Sequence, residues 1–183
     1  ILPMVDEAVR TQVRTDDGWL DFQDYFVRLR QAPEVHEVRF VGIEHAQPTA
    51  EVLAAIAAAE VVVIAPSNPI VSVGPILAVP GMSEALATAR AGGTRIVAVS
   101  GIVGGKALKG PADRMLASLG HEPTALGVAR LYAGLADTFV LDTVDAALAP
   151  AVEALGIRAV VADTIMTDDA SRARLAAAIL ELV

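Results

Sequence analysis

Cysteine is absent from this sequence, which excludes disulfides and thiolate metal sites and fits a reducing cytoplasm. Aromatic residues make up 4% of the chain, with a single Trp. No apolar run approaches the roughly 18 residues of a membrane span; Pro, Gly or charge interrupts every one. The chain therefore reads as a soluble, cytoplasmic protein with no membrane partner, and no signal peptide is visible. Basic residues are scarce as well: 14 Lys and Arg stand against 22 Asp and Glu, a formal net charge of -8. That balance excludes nucleic-acid binding through a broad basic face. An anionic ligand would have to be held locally, by backbone N–H groups. The three histidines, His36, His45 and His121, are scattered without metal-ligand spacing.

What the chain has in quantity is Ala, Val, Leu and Ile, within an apolar fraction of 54% over 183 residues. That length suits one domain with a sizeable core. Residues 9–14 and 35–41 alternate apolar and polar and read as strands, with a turn at Asp16-Asp17-Gly18. Between them, residues 20–30 carry Leu20, Phe22, Tyr25, Phe26 and Leu29 at helical spacing, so 16–34 is expected to form a small helical insertion. Val61 to Ala65, Arg95 to Ser100, Thr138 to Leu141 and Arg158 to Ala162 read as strands, the continuous apolar runs being of the buried parallel type. Helices are expected at 49–59, Met82 to Ala91, Pro111 to Leu119, Thr124 to Leu135, from Asp142 or Thr143 to Gly156, and after a Thr167 cap to Leu182. Strands alternating with such helices predict an α/β fold with a doubly wound, mostly parallel, Rossmann-like sheet.

In such sheets ligands bind beyond the carboxyl ends of the strands, and two loops leave those ends. The first runs from Ala65-Pro66-Ser67-Asn68-Pro69 to Ser72, Gly74 and Pro75. Its hydroxyls, amide and Gly74 N–H, stiffened by prolines, are a candidate cradle for an oxyanion or diphosphate; the alternative is a turn whose Ser and Asn satisfy backbone groups. The second, Ser100-Gly101-Ile102-Val103-Gly104-Gly105-Lys106, pairs glycines that permit close backbone approach with a lysine placed to meet a phosphate. Its alternative is a solvent loop with surface lysines, and it lacks the Walker spacing. Asp163 leaves the last strand toward the same edge; a site carboxylate is one reading of it, a structural or helix-capping group the favoured one. Asp6 and Glu7 read as solvated.

The run Ala65-Pro66-Ser67-Asn68-Pro69-Ile70-Val71-Ser72-Val73-Gly74-Pro75-Ile76-Leu77-Ala78-Val79-Pro80-Gly81 resembles the signature of 2-phospho-L-lactate transferases of the actinobacterial type, enzymes of deazaflavin coenzyme F-420 biosynthesis. Ordered matches follow at Val97 to Ser100, Ile102 to Ala107, Lys109 to Ala112, Leu119-Gly120 to Ala129, and Asp163 to Met166. The chain departs from the family pattern at Ser100-Gly101, where Ser-Pro is usual, and at Met4-Val5-Asp6, where Met-Ser-Asp is usual.

The resemblance implies a transferase. A phospholactyl or phosphoenolpyruvyl group passes from a guanylyl diphosphate donor to the ribityl hydroxyl of a deazaflavin precursor, releasing GMP. It assigns donor contacts to Ser67, Asn68, Ser72 and Gly74, and deazaflavin or phosphate contacts to Ser100, Gly104, Gly105 and Lys106. Ile70, Val73 and Ile102 would border the flat ring. A magnesium ion and a homodimer are expected. The chain opens Ile1-Leu2-Pro3-Met4 and is expected to be the carboxy-terminal part of a longer enzyme, with catalytic groups and metal ligands upstream of Ile1. The alternative is a non-catalytic, nucleotide-sugar-binding regulator of the same superfamily, whose loop usually reads Gly-Pro-Gly-Ser where this chain has Ala65-Pro66-Ser67-Asn68.

Overall fold

The computed structural model describes residues 1–182. Its centre is a four-stranded parallel sheet built from β4 (Val61–Ile64), β5 (Arg95–Val99), β8 (Thr138–Asp142) and β9 (Arg158–Ala162), in that spatial order. Register is parallel throughout: Val62 faces Ile96, Ala98 faces Phe139 and Val140 faces Val160. Because side chains alternate across a strand, each strand feeds two cores. Ile96, Ala98, Phe139 and Leu141 point to one face, where α1 (Ala50–Ala57), α3 (Met82–Ala91), α4 (Ala112–Ser118), α5 (Ala125–Leu131) and α6 (Ala149–Glu153) cover them with Val52, Leu86, Leu116, Val128 and Val152. Val97, Val99 and Val140 point to the other face, under Leu175 and Ile179 of α7 (Asp169–Leu180). The expected α/β fold with a parallel sheet between helices is the fold observed.

A second, antiparallel sheet comes from the amino-terminal part, in the order β2 (Gly18–Asp21), β1 (Arg10–Thr15), β3 (Glu37–Val41). Here 18–21 departs from the expected helix. Trp19 and Leu20 obey strand alternation instead: Leu20 pairs with Val13 and packs inward, while Trp19 lies under the Arg39 guanidinium at 4.0 Å on the solvent side. The helical part of 16–34 shrinks to a few residues ending in a π-helical turn, Asp24–Arg28. The inner side of this sheet, with Tyr25 and Val35, packs on Met115 of α4 and on Ile70 and Val71. It therefore braces the segment that leaves β4.

Other differences have local causes. Asp142 to Gly156 begins as a 3-10 helix (Thr143–Leu148) and turns into α6 where Pro150 sits in the first turn. Pro lacks the N–H that a continuous α-helix would need there. The last helix is capped by Asp168, not Thr167, in a reciprocal arrangement with Ser171. The glycine-rich loop is a hairpin, β6 (Ile102–Val103) with β7 (Lys106–Ala107).

Gly127 shows how tightly α5 is joined to the loop before it. A Cβ at this position would lie 1.8 Å from the carbonyl oxygen of Glu122, and the Gly127 N–H donates to the Thr124 cap. Gly127→Ala is expected to destabilise the fold by about 3 kcal/mol, the upper end of ordinary overpacking costs. Ser118→Ala, losing one hydroxyl bond to the Met115 carbonyl, should cost about 1 kcal/mol or less. Urea unfolding of both variants checks this; a Gly127→Ala protein as stable as the parent refutes the tight junction.

Candidate functional site

The connections that leave the carboxyl ends of three of the parallel strands enclose, with α7, a cleft of about 600 Å³. Pro66, Ser67 and Asn68 come from the β4 exit, Ser100 and Gly101 from the β5 exit, and Leu108 and Lys109 from the segment after the hairpin. The β9 exit contributes Thr164 to Thr167, and α7 contributes Arg172. The two loops singled out in the sequence therefore meet at one cleft, and a third wall joins them from the exit of the last strand, where the sequence reading had placed Asp163 and Thr164 at the same edge.

Two devices hold these loops together. The first is close backbone approach. A Cβ at Gly101 would sit 2.8 Å from the Ser67 carbonyl oxygen, so only glycine lets the β5 exit lie this close to the β4 exit. This close approach is what Gly101 permits at the position where the family pattern usually has Pro. The second is the buried carboxylate of Asp142, at the end of β8. It accepts the Thr164 N–H at 2.9 Å, the Thr164 hydroxyl at 2.8 Å, and both the Val144 N–H and the Thr143 hydroxyl at 3.1 Å. Burial alone would raise its pKa. The four donors outweigh burial and hold the carboxyl below its usual range. Asp142 thus fixes the β9 exit beside β8. The sequence reading took it only as a helix cap, which is one of its two roles.

The polar residues expected at the site divide by what their side chains already do. Asn68 is in the cleft, but its Oδ1 accepts from the Ile70 and Val71 N–H groups at 2.9 and 3.3 Å, and its amide reaches the Met115 sulfur at 3.6 Å. Ser100 is buried, its hydroxyl donating to the Ile102 carbonyl at 2.7 Å. Ser67 is exposed at the cleft, and Ser72 opens instead onto a neighbouring apolar groove that Ser67 also lines. Gly74 lies within α2 (Gly74–Leu77), where a Cβ would come 3.4 Å from the Phe40 ring; packing accounts for that glycine.

In the hairpin, Gly104 and Gly105 have φ of +57° and +76°, the two positive angles that a two-residue turn of this type demands. Gly104 N–H donates to Asp145 at 3.0 Å. Lys106 reaches Asp113 at 3.7 Å and is otherwise exposed. Lys109, three residues on, is the lysine that lines the cleft. The ring-bordering role expected of Val73 and Ile102 is overturned: both are buried in the core, and Ile70 is half-buried against it. The apolar side chains that do face outward at the cleft are Leu108, Ile165 and Met166, at 57%, 37% and 39% exposure.

Asp163 lies outside the cleft lining and pairs with Arg174 at 2.6 Å, the structural role expected of it. Among the described residues no three His, Asp or Glu side chains converge as metal ligands. No single helix among them is long and apolar enough to cross a membrane.

A sequence model of the family described as 2-phospho-L-lactate transferase CofD matches residues 1–179. The chain belongs to this family. Curated relatives include a phosphoenolpyruvate transferase of Streptomyces griseus, 46% identical across 100% of this chain and 58% of that protein. A 2-phospho-L-lactate transferase of Methanosarcina mazei is 39% identical across 99% of this chain and 58% of that protein. The chain thus spans less than two thirds of the curated CofD relatives it matches. A crystal structure of protein BH3568 from Bacillus halodurans shares the fold with a TM-score of 0.61 at 19% identity, covering 98% of this chain and 61% of that one.

The Asp142 clamp makes stability depend on pH in this CofD-family chain. Its folded pKa lies below the unfolded value of 3.8, so its contribution is present above that value and is lost as pH falls through the folded one. Asp142→Asn keeps the size but loses the charge, and is expected to cost about 1.5–3 kcal/mol at neutral pH. The parent should lose more of its stability than the variant between about pH 5 and pH 2. Parallel pH–stability curves for the two proteins would refute the clamp.

Proposed function

We propose that the cleft binds a guanylyl diphosphate donor and a deazaflavin precursor, and that the enzyme to which this chain belongs moves a phospho-acyl group between them with release of GMP. The observation that carries this reading is the make-up of the cleft. Two cations, Lys109 and Arg172, stand with the exposed apolar side chains of Leu108, Ile165 and Met166 around one opening. That is the pairing a ligand needs when one part is a diphosphate and another a flat apolar ring. Names among the relatives point the same way, and the group transferred is taken as phosphoenolpyruvyl, because the Streptomyces relative named for it is 46% identical and the archaeal lactyl enzyme 39%.

In this reading a ribityl hydroxyl attacks the phosphorus that bears the enolpyruvyl group. A new P–O bond forms, the bond to the GMP phosphate breaks, the hydroxyl proton leaves to solvent or a base, and GMP carries away the charge. Such a transfer rests on positioning and charge neutralisation more than on covalent help from the protein. Lys109 makes no ion pair among the described residues. Arg172 is held at 2.5 Å by the fully solvated Asp169, a partner it can leave at little cost. Ser67 and Thr167 add uncommitted hydroxyls at the rim. A magnesium ion remains part of the expectation for the family. The described residues do not converge as a ligand set for it.

Lys109→Ala and Arg172→Ala are each expected to weaken GDP binding by about tenfold or more, the loss of one charge-assisted hydrogen bond. Leu108→Ser should instead weaken binding of the deazaflavin precursor, followed by the change in its fluorescence on mixing. Calorimetry showing unchanged GDP affinity in both charge variants, at unchanged melting temperature, would remove the diphosphate from this cleft.

A further inference from the structure

Asp145 is buried in the first turn of the 3-10 helix that leaves β8, and the transfer reaction leaves it without a role. It lines no part of the cleft, and a carboxylate set against a diphosphate would repel it. What Asp145 holds is the tip of the hairpin: its Oδ2 accepts the Gly104 N–H at 3.0 Å. The N–H groups of the two central residues of a two-residue turn find no partner inside their own hairpin. Asp145 supplies the one that Gly104 needs.

Little else fixes the segment beyond. The hairpin has two paired positions, Ile102 with Ala107 and Val103 with Lys106, too few to hold a shape alone. Ile102 is buried and anchors its base, while the tip at Gly104 is exposed. The Lys106–Asp113 pair spans 3.7 Å with the lysine 80% exposed, and such a pair contributes little. Downstream, the N–H groups of Leu108, Lys109 and Gly110 donate to no backbone acceptor among the described residues. Firm anchorage returns only at Pro111 and Ala112, buried at the start of α4. The tilt of the hairpin therefore sets how Leu108 and Lys109 enter the cleft wall, and the hold on its tip sets the tilt.

The turn after β8 gives no residue to the cleft lining, yet it grips both sides of the cleft. Asp142 holds Thr164 on the β9 side, and Asp145, three residues on, holds Gly104 on the β5 side. Val144 links the two. Its N–H donates to Asp142 at 3.1 Å, and its side chain lies 3.8 Å from where a Cβ of Gly104 would be. We propose that Asp145 is a positioning residue of the transferase cleft, acting through the hairpin tip to set Lys109 against the diphosphate of the donor. The inference rests on Lys109 being a phosphate contact.

Asp145→Ala removes the acceptor. Hydrogen exchange of the Gly104 to Lys106 amides should quicken by about tenfold or more while β5 amides exchange as in the parent. GDP binding, followed by calorimetry, should weaken by about fivefold or more, because binding must then order the hairpin. Asp145→Asn keeps an oxygen for Gly104 and should stay within about twofold of the parent in both measurements. Added to Lys109→Ala, Asp145→Ala should weaken GDP binding little further, since both changes act on one contact. Asp145→Ser, whose hydroxyl falls short of Gly104, carries the same expectations if the Ala variant does not fold. Three results would overturn the proposal: hairpin amides that exchange as in the parent; an Asn variant as weak as the Ala variant; or losses that add in full with Lys109→Ala. Lys109→Ala separates the two readings. Weakened GDP binding there with unchanged binding in Asp145→Ala removes the positioning role alone, whereas unchanged binding in Lys109→Ala removes the phosphate contact and the positioning role with it.

Discussion

The carboxylate of Asp142 joins the ends of two neighbouring strands, and the third wall of the cleft depends on that joint. Backbone groups at the end of a parallel sheet have no ladder partner, so the exits would diverge unless something else satisfied them. Asp142 supplies that partner for Val144 on its own side and for Thr164 across the β8–β9 boundary. With Thr164 held, Ile165, Met166 and Thr167 follow along the rim, and the Asp168–Ser171 cap then starts α7, which brings Arg172 to the opening. On the other side Gly101 does the corresponding work without charge, letting two exits touch through backbone atoms alone. The cleft is therefore built by constraints located behind it.

How much of this was legible beforehand follows from the range of the forces involved. Val61 to Ile64, Arg95 to Val99 and Arg158 to Ala162 were readable because each is a short, nearly unbroken apolar run bounded by polar residues or turns, and that is a local signal; the same signal did not tell the inner strand Arg95–Val99 from the edge strands Val61–Ile64 and Arg158–Ala162. Residues 18–21 were not. Leu20, Phe22, Tyr25 and Phe26 fit a helical stripe, and what decides for a strand is the pairing of Leu20 with Val13 and of Trp19 with Arg14. That pairing belongs to the partner strand and not to the segment itself. The long helix expected from Asp142 is divided for a local reason instead, Pro150 standing in the first turn of α6.

The site was half legible. Both loops were singled out because strand ends in a parallel sheet are where ligands gather, and the structure brings their exits together at one cleft. Which side chains remain uncommitted was not legible. Ser67, Asn68 and Ser100 are alike in sequence as small polar residues after a strand, but Asn68 and Ser100 close turns upon themselves and Ser67 does not. Lys106 and Lys109 are alike as loop lysines, and only the hairpin's two-residue turn, set by Gly104 and Gly105, decides that the second of them reaches the cleft. Leu108, Ile165 and Met166 left no pattern, since exposed apolar residues in loops carry no period.

The net charge of -8 at first opposes an anionic ligand, and distance decides how far. Charges beyond about 10 Å are largely screened at ordinary ionic strength, so most of the acidic excess acts weakly on the cleft. Many of those acids are also paired locally, as Asp163 is with Arg174, Glu37 with Arg14 and Asp137 with Arg90. A cation at about 4 Å from a phosphate contributes about 1 kcal/mol even in bulk water and about 4 kcal/mol near a protein surface, before any hydrogen bond is counted. Two such cations at one opening outweigh a diffuse acidic field. The same field penalises a long polyanion, which must lie across the surface outside the opening. Composition thus excludes the extended ligand and leaves the compact one to local geometry.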